Sequence, residues 1–223
     1  MNLKIMTKTS TELKICGVTK IQEALKIASL GVSAIGVIGV ENSPRFLPPI
    51  NRSNLFKKLN ASFPKTSRVL VVADITDSNL SEAIKSDGAP SIIQLHGNES
   101  KERCIELKQK FPQIKWWKAF RIRSKVDLEF IKEYEDVVDA LLLDSWSNNQ
   151  LGGTGTRLEI DWLKGRKFNK PWWLAGGICE ECIPLILNSL NPSGLDASSK
   201  LEIAPGIKNI QKIELLIKAI KEN

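Results

Sequence analysis

Eight short apolar runs, each followed by a segment of helical periodicity, set the tightest limit on what this 223-residue chain can fold into. The runs fall at 13–16, 33–38, 68–73, 91–95, 115–119, 139–143, 171–175 and 194–197. The helix-period segments fall at 20–30, 50–61, 78–87, 99–111, 125–134, 157–164, 179–188 and 209–221. One strand and one helix then take about 28 residues, the size of a β/α repeat with short connections. Strict alternation predicts a parallel sheet covered by helices, and a count of eight favours closure into a (β/α)8 barrel over an open, doubly wound sheet. No Gly-, Ser- or Pro-rich linker divides the chain, so a single domain over 12–223 is expected, preceded by a short polar, flexible extension over 1–11.

Composition narrows the function classes. No apolar run nears the ~20 residues of a membrane span, and the start MNLKIMTKTSTE lacks the apolar core of a secretory signal, so a cytoplasmic protein is expected. Four cysteines, Cys16, Cys104, Cys179 and Cys182, are too scattered for a disulfide framework. The net charge of +7 is dispersed without a long basic block. It suits attraction of a small anion as well as it suits nucleic acid.

Residues with chemistry gather at one place in each unit. Cys16, the GVENSPR loop, Asp74, His96, Arg121, Asp144, the glycines of LAGGI and Asp196 all follow a strand. In a barrel those eight ends converge on one face, where catalytic sites are built. Cys16 ends its strand before Gly17, and Lys14 shares its side because side chains alternate with period two. A thiol serves as a base only as thiolate, and a nearby cation lowers its pKa from about 8.5. Lys14 is one source of that cation, unless it lies a layer deeper in the barrel. A buried, inert cysteine is the plainer alternative. Asp144 closes LLLD ahead of a loop of about a dozen residues, a length typical of functional βα loops. There it is a candidate general acid, with a helix cap as the ordinary alternative.

The glycine-rich LGGTGTR contains Gly152, Gly153, Thr154 and Gly155 but lacks the spacing of a nucleotide P-loop, and reads as a lid. LAGGI, with Gly176 and Gly177, precedes a helix whose free N–H groups favour an anion. Asp196, Ala197, Ser198 and Ser199 add hydroxyls and N–H groups after the eighth strand. A phosphate between the seventh and eighth loops is a recurrent feature of such barrels. Arg45, braced by Pro44, Pro48 and Pro49, suits a carboxylate clamp. His96, the one histidine, reads as a structural group, and Cys179-x-x-Cys182 as inert, since neither has the companions of a metal site. The Trp116-Trp117 and Trp172-Trp173 doublets read as strand packing.

Taken in order, KICGVT (14–19), NSPRFLPP (42–49), QLHGNE (94–99), KAFRI (118–122), LLLDS (141–145), GGTG (152–155), LAGGI (174–178) and LDASSKLEIAPGIKN (195–209) resemble the phosphoribosylanthranilate isomerase family of tryptophan biosynthesis. The resemblance covers nearly the whole chain after residue 12. It implies an Amadori rearrangement of N-(5-phosphoribosyl)anthranilate to 1-(2-carboxyphenylamino)-1-deoxyribulose 5-phosphate, with no metal or organic cofactor. It further implies Cys16 as general base, Asp144 as general acid, Arg45 at the anthranilate carboxylate, and the phosphate on the seventh and eighth loops. The expected partner is a small phosphorylated substrate, not nucleic acid or membrane, for a monomer or homodimer. Thr156 in place of a frequent lysine, two extra residues before Asp161, and a third strand ending VVAD depart from the family pattern. Two rival readings are a related sugar-phosphate isomerase of histidine biosynthesis and a catalytically silent barrel that binds. Cys16 speaks against the first, because those enzymes pair two aspartates; Cys16 and Asp144 together speak against the second.

Overall fold

The computed structural model describes residues 11–145 and 160–223. The extension before Thr11, and the loop with Gly152, Gly153, Thr154 and Gly155, lie outside the described residues. Eight parallel strands, β1 (Glu12–Cys16), β2 (Ala34–Ile38), β3 (Ser67–Val72), β4 (Ile92–Leu95), β5 (Lys115–Ile122), β6 (Ala140–Ser145), β7 (Trp172–Ala175) and β8 (Gly194–Ala197), close into a barrel in sequence order. Closure is made by β1 against β8, with Lys14 opposite Asp196. β5 reaches Ile122 instead of stopping at 119, because its pairing with β6 continues to Ile122 opposite Ser145.

The helices are α1 (Ile21–Ser29), α2 (Pro49–Ser62), α3 (Asp77–Lys85), α4 (Lys101–Lys110), α5 (Asp127–Phe130), α6 (Ile160–Leu163), α7 (Ile183–Ser189) and α8 (Ile210–Glu222). Side chains set several starts by accepting an otherwise orphan N–H: Thr76 from Asn79, Ser100 from Arg103, and Asn209 from Lys212. The fifth is shorter than its pattern suggested. It passes into a 3₁₀ turn at Ile131–Tyr134, since Leu128, Ile131, Tyr134 and Val137 recur every three residues and line up on a three-residue turn. A 3₁₀ turn at Glu180–Cys182 likewise precedes α7. Among the described residues no helix is long and apolar enough to cross a membrane.

Alternation along the strands makes two cores. Ile15, Ile35, Leu70, Ile93, Leu141, Leu143 and Leu195 point outward into the layer shared with the helices. Ala34, Val69, Ile92, Trp117, Ala119, Ala140, Leu142, Trp173 and Ala175 fill the barrel interior. Trp117 and Trp173 pack at 4.7 Å between centroids, their planes tilted by 36°, and occupy the N-terminal part of that interior. Beyond β8 the chain forms a small antiparallel hairpin, β9 (Glu202–Ala204) with β10 (Ile207–Lys208), which the strand pattern of the sequence did not signal.

Candidate active site

The inward ladders change character as they climb. On β6 the interior positions run Ala140, Leu142, Asp144; on β4, Ile92, Gln94, His96; on β1, Lys14, Cys16. Each ladder therefore ends in a polar or reactive side chain at the C-terminal mouth. Cys16 is buried, at 7% exposure, beneath that mouth. Gly36 on the neighbouring strand makes room for it: a Cβ there would lie 2.7 Å from the sulfur and 3.0 Å from Lys14 Cε.

Lys14 does lie one layer below, fully buried, and its Nζ meets Asp196 Oδ2 at 2.6 Å. Burial works to discharge it, but Asp196 and Cys16 outweigh burial and hold the ammonium above its ordinary range. Burial pushes the Asp196 carboxyl up, with Lys14 opposing and Asp144 adding to the rise. At 2.6 Å the contact is an ammonium–carboxylate pair, the proton residing on the far more basic Lys14. The thiol of Cys16 is pushed up by burial as well; Lys14 and Lys208 favour its thiolate, and Asp196 disfavours it. The cation expected from the sequence is thus present, yet it is shared with Asp196 and does not overcome desolvation.

Asp144 stands across the mouth with its Oδ2 3.5 Å from His96 Nε2. The other ring nitrogen, Nδ1, lies 3.2 Å from Gln94 Nε2. His96 is held at the backbone by its N–H to Val72 and by Arg121 Nη2, which donates to its carbonyl. The sequence reading of His96 as a structural group took no account of Asp144, and Gln94 was passed over. Their signal was the period-two spacing that places 92, 94 and 96 on one face.

Arg45 is brought to the same mouth, directly over Gly17, where a Cβ would come 2.5 Å from Arg45 Cδ. Its Nε and Nη2 donate to Glu202, at 2.9 and 2.7 Å. The hydrogen bonds it donates to Glu202 raise the Arg45 pKa further. Glu202 also accepts from Lys208 Nζ at 2.8 Å, and these two cations hold its carboxyl below the usual range although burial pulls the other way. The β9–β10 hairpin therefore supplies an acid and a base that the sequence reading did not single out.

The expected anion loops adjoin. Gly176 and Gly177 have φ of +93° and +67°, the left-handed region in which a Cβ is strained. Ser198 Oγ donates to the Cys16 carbonyl at 2.9 Å and so ties the eighth loop to the end of β1, while Lys208 Nζ lies 3.4 Å from that hydroxyl. Asp196 and Ala197 are buried, and Ser199 begins a 3₁₀ turn. Cys179 and Cys182 form no disulfide, with sulfurs 3.4 Å apart; Cys182 donates to the Cys179 carbonyl and shapes the turn after Gly177. Burial pushes the Cys179 thiol up to about 11. Among the described residues no group of three or more His, Cys, Asp and Glu is arranged to hold a metal ion.

A profile described as N-(5'phosphoribosyl)anthranilate (PRA) isomerase matches residues 13–219. An N-(5'-phosphoribosyl)anthranilate isomerase of Synechococcus elongatus is 39% identical over 211 residues, covering 95% of this chain and 96% of the relative. One from Synechococcus sp. (strain JA-3-3Ab) is 40% identical over 210 residues, covering 94% and 90%. The crystal structure of phosphoribosyl anthranilate isomerase from Thermotoga maritima superimposes with a TM-score of 0.85 at 25% identity, over 96% of this chain and 100% of that one. The enzyme from Thermus thermophilus gives 0.79 at 28% identity, over 95% and 99%.

Proposed function

The chain belongs to the N-(5'-phosphoribosyl)anthranilate isomerase family, and on that premise we propose that it isomerises N-(5-phosphoribosyl)anthranilate to 1-(2-carboxyphenylamino)-1-deoxyribulose 5-phosphate in tryptophan biosynthesis. Asp144 gives a proton to the furanose ring oxygen, and the ring opens to a Schiff base. Cys16 takes the proton from C2′, leaving an enolamine that tautomerises to the ketone. Such a sequence needs an acid and a base of offset pKa facing one sugar from two sides. The observation that carries this reading is the placement of Cys16 and Asp144 at the last interior positions of β1 and β6, with Asp196 between them in electrostatic reach of both.

Burial leaves Cys16 a neutral thiol at rest, so the base is its thiolate fraction, which Lys14 and Lys208 favour. The phosphate sits between the loops at 176–177 and 197–199, held through backbone N–H groups and the charge of Lys208. Arg45 faces the anthranilate carboxylate. Glu202 occupies its Nε and Nη2, so the substrate meets the remaining Nη1 edge instead of the full fork. The same reading makes the protein a cytoplasmic enzyme, monomer or homodimer, acting on a free phosphorylated metabolite.

Turnover of phosphoribosylanthranilate by the purified protein is the deciding measurement. Turnover of the corresponding histidine-pathway aldose in its place would reassign the activity, and no turnover of either would leave a barrel that only binds.

A further inference from the structure

We propose that Gln94 and His96 form a positioning relay for Asp144, in which the Gln94 amide fixes the histidine tautomer and His96 Nε2–H fixes which carboxyl oxygen of Asp144 faces the substrate. The proposal rests on the reading of Asp144 as the general acid and extends the catalytic apparatus to two residues that never touch the reacting atoms.

Gln94 is 1% exposed, inside the barrel, between Val71 on β3 and Trp117 on β5. Its amide nitrogen lies 3.2 Å from His96 Nδ1; an NH₂ group only donates, so in this orientation Nδ1 accepts, whereas an amide turned to present its oxygen would require an Nδ1–H. A neutral imidazole whose Nδ1 accepts carries its proton on Nε2, and Nε2 is the atom 3.5 Å from Asp144 Oδ2. The sequence of donors thus has one direction: Gln94 to His96 to Asp144. The ring edge lies beside Oδ2 at 3.5 Å, and the relay assigns the proton of the acid form to Oδ1, the oxygen left for the substrate.

Two further observations support this. The His96 backbone is clamped on both sides, its N–H to Val72 and its carbonyl by Arg121, which fixes the point from which the ring projects. Gln94 Oε1 is buried without a hydrogen-bond partner among the described residues. An unpaired buried carbonyl is costly, and an aliphatic side chain would fill the same space without that cost. The contact that offsets this cost at Gln94 is the one its other end makes with Nδ1.

The chain has one histidine, so its imidazole gives one unambiguous set of ¹⁵N signals. In wild-type protein the expected spectrum is the Nε2–H tautomer, with Nδ1 unprotonated. Gln94→Leu, close in size, is expected to mix the tautomers and lower kcat about ten- to a hundredfold while KM stays nearly constant, the signature of misaligned chemistry rather than lost binding. His96→Gln, which keeps a donor where Nε2 stood, is expected to retain most of the activity that His96→Asn loses. An Nδ1–H tautomer in the wild type overturns the relay without any variant and without reference to turnover. So does a Gln94→Leu protein of unchanged tautomer and kcat, or a His96 series whose loss lies wholly in KM. Failure of wild-type protein to isomerise phosphoribosylanthranilate is a separate result: it removes the assigned reaction and leaves the tautomer measurement standing.

Discussion

The two ends of the barrel are built by the same strands and made for different work. At the N-terminal end the interior is filled by apolar bulk: Trp117 packs on Trp173, with Ala34 and Ala140 beside them. A cavity of about 1150 Å³ opens there, lined by the strand beginnings and the loops that lead into them, far along each ladder from Cys16 and Asp144. At the C-terminal end the interior carries a buried ion pair, a thiol, a carboxyl and an imidazole within one electrostatic neighbourhood. The lesson is that concavity alone is a poor guide to chemistry in this fold. One end fills its interior with bulk, and the other gives up packing to hold charge out of water.

The sharpest division of labour is expected from Cys16→Ser and Asp144→Asn. Each should lower kcat about 10²- to 10⁴-fold with little change in KM, and neither should shift the unfolding midpoint much. Near-normal turnover in the serine variant removes Cys16 as the base. A rise confined to KM in the asparagine variant makes Asp144 a binding residue. The mirror image is Trp173→Ala at the other end. Deleting the ring should cost about 3–5 kcal/mol of stability, seen by denaturant unfolding, while the folded fraction keeps its kcat. A large loss of kcat per folded molecule would mean that the two ends are coupled.

The next effect tests the charge at the mouth. Burial holds the Cys16 thiol above the ordinary range, and its base form exists only after the proton is lost. The pH limb of Cys16 ionisation, read by the alkylation rate of that thiol, should therefore lie above about pH 8.5, where an ordinary thiol is already half ionised. Asp196 disfavours the thiolate, so Asp196→Asn should move that limb to lower pH, whatever it does to the plateau. A limb that stays in place separates Cys16 from the Lys14–Asp196 pair.

Arg45→Ala should cost kcat/KM on the order of 2 kcal/mol, and Arg45→Lys less, because lysine keeps the charge but loses the guanidinium plane. A substrate analogue lacking the carboxylate should lose little further in Arg45→Ala; equal losses for both would confine the arginine to holding Glu202. The smallest effect belongs to the anion loops. Ser198→Ala should change KM by less than about threefold if the phosphate is held by backbone N–H groups, whereas Gly177→Leu should raise KM strongly, because a side chain is strained at its positive φ. A large serine effect would move the recognition to side chains.

The sequence by itself determined the eight units, the closure and the side of the barrel on which chemistry would gather. These follow from local rules: period two for strands, 3.6 for helices, and short connections that leave parallel strands no arrangement but a covered sheet. Cys16, Asp144, Arg45 and the loops at 176–177 and 196–199 stand out as candidates because each ends a strand or lies in the loop that follows one. Only the tertiary structure decided their state. Whether Lys14 would be spent on Asp196, whether burial would outweigh it at Cys16, whether Glu202 from a hairpin beyond β8 would occupy the Arg45 fork, and whether the one histidine would reach Asp144 all depend on distances between residues remote in the chain. Coulomb and desolvation energies are functions of separation and burial, which no local pattern encodes; they exist only once β1 has closed on β8.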